Sequence, residues 1–497
     1  MKDAQLILGN QLFPLTGQTR PRAQRVFMAE SDELCTHFRY HQNKLVLFLS
    51  AMRHYCQELR EKDYQVHYQA LTPRGKSTRY RSQLRSYLKE LQIERLHVWE
   101  IEDKFFEKEI RDLCQACGTE LVIHPSPMFV GERADFAAYD EKAKRPFMKH
   151  FYEDRRRQTG LLMTKEGQPR GGKYSYDADN RKKLPDQVSL PPLPSVSLDE
   201  MTREVIDLVK VRFSHHPGDA STFWLPVTRR QALTWLHDFV RNRLHHFGAY
   251  EDAITDRGDF LFHAVLSPSL NLGHLLPGET VEKAIAAWEK DSSIPLNSIE
   301  GFVRQIIGWR EFLRGIYQRY SERQDSENFF GHTAKFSPCW DECATGLPPL
   351  DEALERVERL GWTHHIERLM VLGNFMLLSQ IHPQEVHRWF MERFVDSSDW
   401  VMGPNVYGMS QFSDGGIFAT KPYICGSNYL RKMSHHGKGD WCDIADGLYW
   451  RFIQEHYEVF AGNQRMSMMV RSLDKMDREK KKRLFGAAEG FLERATC

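Results

Sequence analysis

Strand-like runs end early in this chain, and that asymmetry limits its possible folds more than any other feature. Up to about residue 125, short apolar or β-branched runs alternate with helix-like segments such as "AMRHYCQELREKD" and "FFEKEIRDLCQACG". The runs are "AQLILGN" (4–10), "KLVLFLS" (44–50), "YQVHYQAL" (64–71), "ERLHVWE" (94–100) and "TELVIHP" (119–125). This alternation predicts βαβ units and a doubly wound parallel sheet. Ligands of such sheets sit at the carboxyl ends of the strands, so "LGNQLF" is the expected lip of a pocket. No Gly-rich phosphate loop follows a strand, which argues against a standard dinucleotide or Walker site. From 131 to 226 the pattern loosens, and the Gly-, Pro- and Ser-rich stretch "QPRGGKYSYDADNRKKLPDQVSLPPLPSVS" reads as an irregular interdomain connection. After Thr228 helical periodicity takes over, as in "IEGFVRQIIGWREFLRGIYQRYSE" and "PQEVHRWFMERFV". The expected architecture is α/β then all-α, with domains at 1–130 and 227–497.

At 41% hydrophobic and 27% charged residues, with a formal net charge of +1, the composition is that of an ordinary globular protein. A near-neutral chain does not grip nucleic acid with its whole surface, but local basic patches remain open. The start "MKDAQLILGNQLFP" lacks the apolar core of a signal peptide. No run approaches the ~18 apolar residues of a membrane span, and nine scattered cysteines make no disulfide framework. A cytoplasmic protein without membrane contact is expected. Eleven tryptophans suit either a large planar ligand or large aromatic cores.

Polar residues interrupt the apolar helices in four places. "HAVLSPSLNLGHLLP" has Ser267, Pro268, Asn271 and Gly273 around a helix start, where free N–H groups suit a phosphate or an ordinary cap. "RQIIGWREFLRGIY" sets Gln305, Trp309 and Arg310 near one face, with Glu311 beside them. "DSSDWVMGPNVYGMSQFSDGGIFATKPY" (396–423) reads as a long functional loop, too polar to be hidden in a core. "GWTHHIERLMVLGNF" opens a helix on His364 and His365, and adjacent helical residues point roughly 100° apart. By themselves these two read as one core histidine and one surface histidine.

Taken together, "FGAYEDAI", "LSPSLNLG", "GWREFLRGIY", "HHIERLMVLGNF", "GMSQFSDGGIFATKPY" and "SNYLRKMS" resemble the signature blocks of bacterial photolyase-related proteins. That branch holds the prokaryotic (6-4) photolyases and their iron–sulfur cryptochrome relatives. "LILGNQL", "SAMRHY" and "GGKYSYDADNRKKLP" extend the resemblance over nearly the full chain. It implies a helical domain that binds FAD and faces UV-damaged DNA. By resemblance, Tyr250, Ser267, Leu270 and Asn271 hold the flavin's phosphates and ribitol, with Asn405 and Met409 in the same cavity. Gln305, Arg310 and Glu311 line the space between flavin and lesion. Arg368 and Asp396 form an ion pair beside the isoalloxazine, where a guanidinium stabilises the reduced ring's charge. Repair of a (6-4) lesion needs a proton as well as an electron. The histidine pair then gains a role, with His365 as donor and His364 orienting it. The lesion must flip out of the duplex to reach them. Tyr423 and Tyr429 are expected on the lesion side, Trp389 as the proximal electron donor, and Trp340 as the next step outward. Two alternatives share the scaffold: a cryptochrome-like blue-light photoreceptor, and a CPD photolyase, which needs no histidine pair. A metal-free helical adaptor lies outside flavin chemistry altogether.

The sequence departs from the family in its cysteines. Relatives hold a [4Fe–4S] cluster on thiolates, usually four. The corresponding positions here read Gly437, Asp440 and about Pro349, with only Cys442 near the last, so the cluster and any metal are expected to be absent. Cys339, Cys343 and Cys425 would have to supply a different set. "CQAC" (114–117) is a lone pair inside a helix, without the further ligands zinc would need. The family's first domain carries an antenna chromophore, commonly a ribolumazine, and Asn10, Gln11 and Leu12 are its expected contacts. DNA phosphates are expected at "NRKK" (180–183), "EDRRRQ" (153–158) and "DREKKKRLFG" (477–486). A monomer is expected.

Overall fold

The computed structural model describes residues 2–497. Five strands form one sheet: β1 (Asp3–Leu6), β2 (Arg25–Ala29), β3 (Gln65–Gln69), β4 (Arg95–Trp99) and β5 (Glu120–His124). All pair in parallel in the order β3-β2-β1-β4-β5. The central strands bury Ala4, Leu6, Leu96 and Val98 completely, as a parallel sheet covered on both faces requires. Four of the five expected strands are present, but "KLVLFLS" is not one of them. It lies inside the helix Gln42–Glu61, which runs between the sheet and the helix Glu200–Arg212 and so buries Leu45, Val46, Leu47 and Leu49 in succession. A helix covered on several sides has the same unbroken apolar run as a buried strand. The missing strand is β2, "RVFMA".

The stretch 131–226 is less irregular than its composition implies, for it contains the helices Arg133–Asp140, Met148–Thr159 and Glu200–Arg212. Beyond His124 the described residues contain no further strand, only isolated bridges. The helix Leu296–Val303 continues through a π-helical turn at Arg304–Arg310 into Glu311–Ser326. Segment 396–423 is not an open loop. It begins with the helix Asp399–Gly403 and a π-helical turn at Pro404–Ser410. Its polar Gln411, Ser413 and Asp414 are buried among Phe412, Ile417 and Phe418. Asp414 is accommodated because the amide of Gln324 and the N–H groups of Gly416 and Ile417 donate to its carboxylate.

The strand order reverses between β1 and β4, where an open sheet of this type leaves a crevice. Here the helical domain fills it. Arg314 donates to Glu100 at 2.7 Å, to Glu102 at 2.8 and 3.0 Å, and to the carbonyl of Gly131 at 3.0 Å. Its guanidinium lies 4.1 Å from the Phe129 ring. Gln11 closes the loop after β1 onto the one after β4 by donating to the carbonyls of Trp99 and Glu100. Leu12 N–H donates to the carbonyl of Leu272 in the helical domain at 2.8 Å.

Candidate active site

The site is built around the ion pair Arg368–Asp396. Arg368 rises from a π-helical turn, Glu367–Gly373, and meets Asp396 with both terminal nitrogens at 2.9 and 3.2 Å. Its Nε donates to the carbonyl of Thr363 at 2.7 Å, so the planar fork is fixed at three points. Ser267 hydroxyl donates to Asp396 at 2.6 Å, and the Asn271 amide donates to the Asp396 carbonyl at 2.8 Å. Arg310 in turn donates to the Asn271 side chain at 2.6 Å. Burial alone would raise the Asp396 carboxyl, but the Arg368 charge and the hydrogen bonds from Arg368 and Ser267 hold it below the usual carboxylate range. Ser267, Asn271, Arg310, Arg368 and Asp396 thus form one connected network. Leu270 is buried on the same short helix, Ser267–Leu272. Just before it, Val265 has a φ of +53°, a strained angle for a β-branched residue.

His364 and His365 part as adjacent residues must. His364 is buried, its ring stacked 4.6 Å from His263 at an interplanar angle of 12°. Its Nε2 lies 3.6 Å from Glu367, whose carboxylate is held by Arg356 and the Thr363 hydroxyl. Both ring nitrogens of His364 and Nε2 of His263 are buried without a hydrogen-bond partner. His365 is exposed, yet burial by the surrounding protein, followed by the Arg368 charge, lowers its pKa to about 4. In the free protein it is neutral at pH 7.

Gln305 donates to Glu251 at 2.6 Å, and Glu251 also accepts from Asn180 at 3.0 Å. Burial pushes the Glu251 carboxyl up to about 7 against the pull of Arg304 and Asn180. This network docks the 174–183 stretch beside the site, bringing Arg181 close enough to Tyr423 and Tyr429 for its charge to act on both phenols. Tyr250 packs against His246 and Phe262 in an aromatic cluster. Met409 is buried, and Asn405, on the π-helical turn Pro404–Ser410, donates to the carbonyl of Val401 at 2.8 Å.

Glu311 does not join this network. Its two carboxylate oxygens accept the N–H groups of Val130 at 2.7 Å and Gly131 at 3.0 Å, fixing the chain where it leaves the sheet. Its place is the domain junction, one residue around the helix from Arg310. Trp389 and Trp340 are joined through aromatic contacts. The Arg368 guanidinium lies 3.9 Å from the Phe394 ring, Phe394 is 6.0 Å from Trp389, Trp389 is 6.5 Å from Phe336, and Phe336 is 5.1 Å from Trp340. Trp340 is only 1% exposed, and its Nε1 donates to the carbonyl of Ala495, so it is an interior member of the chain and not its surface end.

Of the three antenna positions, Gln11 has its amide committed to the sheet, Asn10 is half-buried, and Leu12 lines a groove of about 610 Å³ with His54, Tyr55, Arg229 and His274. The basic clusters also divide. Arg155 and Arg156 are buried, with Arg155 on Asp135 and Arg156 on backbone carbonyls. Arg181, Lys182 and Lys183 are exposed, as are Lys480, Lys482 and Arg483. Four residues that the sequence did not single out belong to the site: His263, Glu367, Arg356 and Phe394. Only Glu367 had a local signal, three positions after His364 on one helical face.

A parallel five-stranded domain beside a helical domain with a buried Arg–Asp pair is the arrangement of the photolyase and cryptochrome class. A class III photolyase from Agrobacterium tumefaciens superposes with a TM-score of 0.58 at 15% identity, covering 99% of this chain and 98% of that one. A Synechocystis cryptochrome superposes at 0.53 and 11%, covering 95% and 92%. Family models described as deoxyribodipyrimidine photo-lyase-related protein and as the FAD binding domain of DNA photolyase match residues 5–225 and 302–440. A (6-4) photolyase from Agrobacterium fabrum is 32% identical over 513 residues, covering 99% of this chain and all of that one. The chain belongs to the photolyase-related family, and its helical domain is a photolyase FAD-binding domain.

The residues present suit FAD. A fixed guanidinium backed by a carboxylate answers a ring that carries negative charge when reduced. The Ser267 hydroxyl and the Asn271 amide offer polar groups to a ribityl diphosphate. The unpartnered buried nitrogens of His364 mark a wall that awaits a polar neighbour.

Proposed function

We propose that the protein is a light-driven (6-4) photolyase. The observation that carries this reading is the exposed, desolvated His365 beside the Arg368–Asp396 pair. Reduced FAD, when bound, supplies an electron to the lesion on excitation. Arg368 provides the fixed positive charge beside the ring, and Asp396 keeps that guanidinium oriented. His365 delivers the proton that the migrating hydroxyl needs, and a flipped lesion exposes that atom to it. Its low pKa means that the charged donor forms only when an anionic partner arrives, and a DNA phosphate is such a partner. His364, stacked on His263 and backed by Glu367, positions His365. Tyr423 and Tyr429 stand at the lesion side with Arg181. Trp389, Phe336 and Trp340 form the route for electrons that reduce the flavin in light. The exposed Lys142, Lys144, Arg145, Arg181, Lys182 and Lys183 give the DNA backbone a basic rim.

Three finer assignments accompany this reading. A ribolumazine-type antenna occupies the groove bounded by Leu12 and Tyr55. The chain lacks a [4Fe–4S] cluster, since Gly437, Asp440 and Pro349 stand where the resemblance expects thiolates. It acts as a monomer. Among the described residues, no helix is long and apolar enough to cross a membrane.

His365→Ala tests the proposal. With FAD retained, (6-4) repair should fall by about 10²–10⁴-fold, the usual worth of a positioned acid. A variant that repairs the (6-4) lesion normally would sink it. Turnover of a CPD duplex that the variant leaves untouched would move the assignment to the CPD alternative.

A further inference from the structure

The turn after the helix Ser427–Met433 sets His435 and His436 side by side, ring centroids 4.1 Å apart, against the helix Pro348–Leu360. Both rings present Nε2 to the same oxygen of Glu352, each at 3.4 Å. Asp256 Oδ2 lies 4.0 Å from His435 Nε2. One ligand atom from each of Glu352, His435 and His436 falls within 4.8 Å of the others, the one such group among the described residues. Around a tetrahedral ion with N and O ligands at about 2.0–2.1 Å, neighbouring ligand atoms lie about 3.3–3.4 Å apart. The two 3.4 Å spacings match that edge.

Neither ring makes a hydrogen bond to Glu352, although both nitrogens are close enough for one. Two imidazoles and a carboxylate are a donor set suited to zinc.

We propose that Glu352, His435 and His436 bind a zinc ion, with Asp256 closing the fourth position. The ion ties three separate segments together: the turn at Asp256, the helix Pro348–Leu360 and the turn after Met433. One turn along that helix from Glu352, Arg356 holds Glu367, the residue that backs His364. The site is therefore a structural staple behind the catalytic helix, with no part in the chemistry.

Purified protein stripped with EDTA and titrated with ZnCl₂ by calorimetry tests this, with Co²⁺ substitution read in its visible ligand-field bands. The expected result is one Zn²⁺ per chain, a raised thermal midpoint and a four-coordinate Co²⁺ spectrum. His435→Ala and Glu352→Gln should each weaken binding by more than the roughly 10–100-fold that loss of an outer-shell partner costs. Both positions are partly exposed, so retained FAD and circular dichroism check the fold of each variant. Absence of uptake, or uptake that the His435→Ala/Glu352→Gln double variant leaves unchanged, overturns the proposal.

Discussion

The chemistry of this site rests on a few residues whose environments differ sharply over short distances. His364 and His365 are neighbours in sequence, yet one ring is stacked and buried and the other lies open beside a guanidinium. In the free protein His365 should stay neutral down to about pH 4. An NMR titration that finds it charged near pH 6.5 would contradict the desolvation and the Arg368 charge that hold its pKa down. Asp396 is the second test. Asp396→Asn removes the charge that Arg368 faces, and hydrogen bonds to charged groups are worth about 1.5–3 kcal/mol each. Loss of even one such bond predicts FAD retention weakened by about tenfold or more; unchanged retention would mean that the pair does not position the flavin.

At the scale of elements, the most informative feature is the π-helical turn. Three of the four such turns, at Arg304–Arg310, Glu367–Gly373 and Pro404–Ser410, carry Gln305, Arg310, Arg368, Asn405 and Met409; the fourth is at Phe239–Arg243. A π-helical turn widens the spiral locally and re-aims side chains, and such turns gather at functional sites. They were not legible in the sequence, because over seven residues an i→i+5 ladder leaves the same apolar pattern as an α-helix. The same limit explains why "KLVLFLS" reads as a strand and folds as a helix. The residues of the ion-pair network were legible only through the blocks that carry the resemblance; spacing alone could not bring Ser267 to Asp396 across 129 positions. Glu311 has a structural task that its block did not announce, since its carboxylate accepts the N–H groups of Val130 and Gly131 at the domain junction. Glu311→Ala leaves the buried Gly131 N–H and the half-buried Val130 N–H unpaired and should lower stability by about 2 kcal/mol, with repair per folded molecule retained. Loss of turnover at unchanged stability would restore it to the chemistry. Trp389→Phe should slow flavin photoreduction severely without displacing FAD, and Trp340→Phe should slow it less. Equal rates in both variants and the parent would exclude the aromatic route. The segment His435–Asp440, which lacks the expected thiolates, offers two imidazoles instead.

Across the whole molecule, burial of titratable groups sets the pH range in which the fold is stable. His41, His274 and His332 are buried with pKa values lowered to about 4, about 3 and about 3, burial being the largest cause in each. Unfolded, these rings bind protons below about pH 6.5, so each costs about 1.4 kcal/mol per pH unit as pH falls toward the folded value. Glu251 and Asp103 work in the opposite sense. Burial raises both carboxyls to about 7, so their contribution is lost as pH rises from about 4 to 7. More rings are lowered than carboxyls are raised, and denaturant unfolding should therefore show greatest stability near pH 6.5, falling on acidification; a maximum near pH 4.5 would contradict this balance. The two-domain plan was legible because its signal is a change of period sustained over hundreds of residues. How the domains meet was not, since Arg314 entering the crevice between β1 and β4 depends on a contact 212 positions apart. The central claim is that this architecture performs light-driven repair with His365 as proton donor. The most direct measurement is illumination of the reduced protein with an oligonucleotide carrying one (6-4) T–T lesion, followed by chromatography of the product. Thymines restored only in the light are the predicted result. A photoreducible flavoprotein that leaves the lesion intact would contradict the account and make the molecule a light sensor.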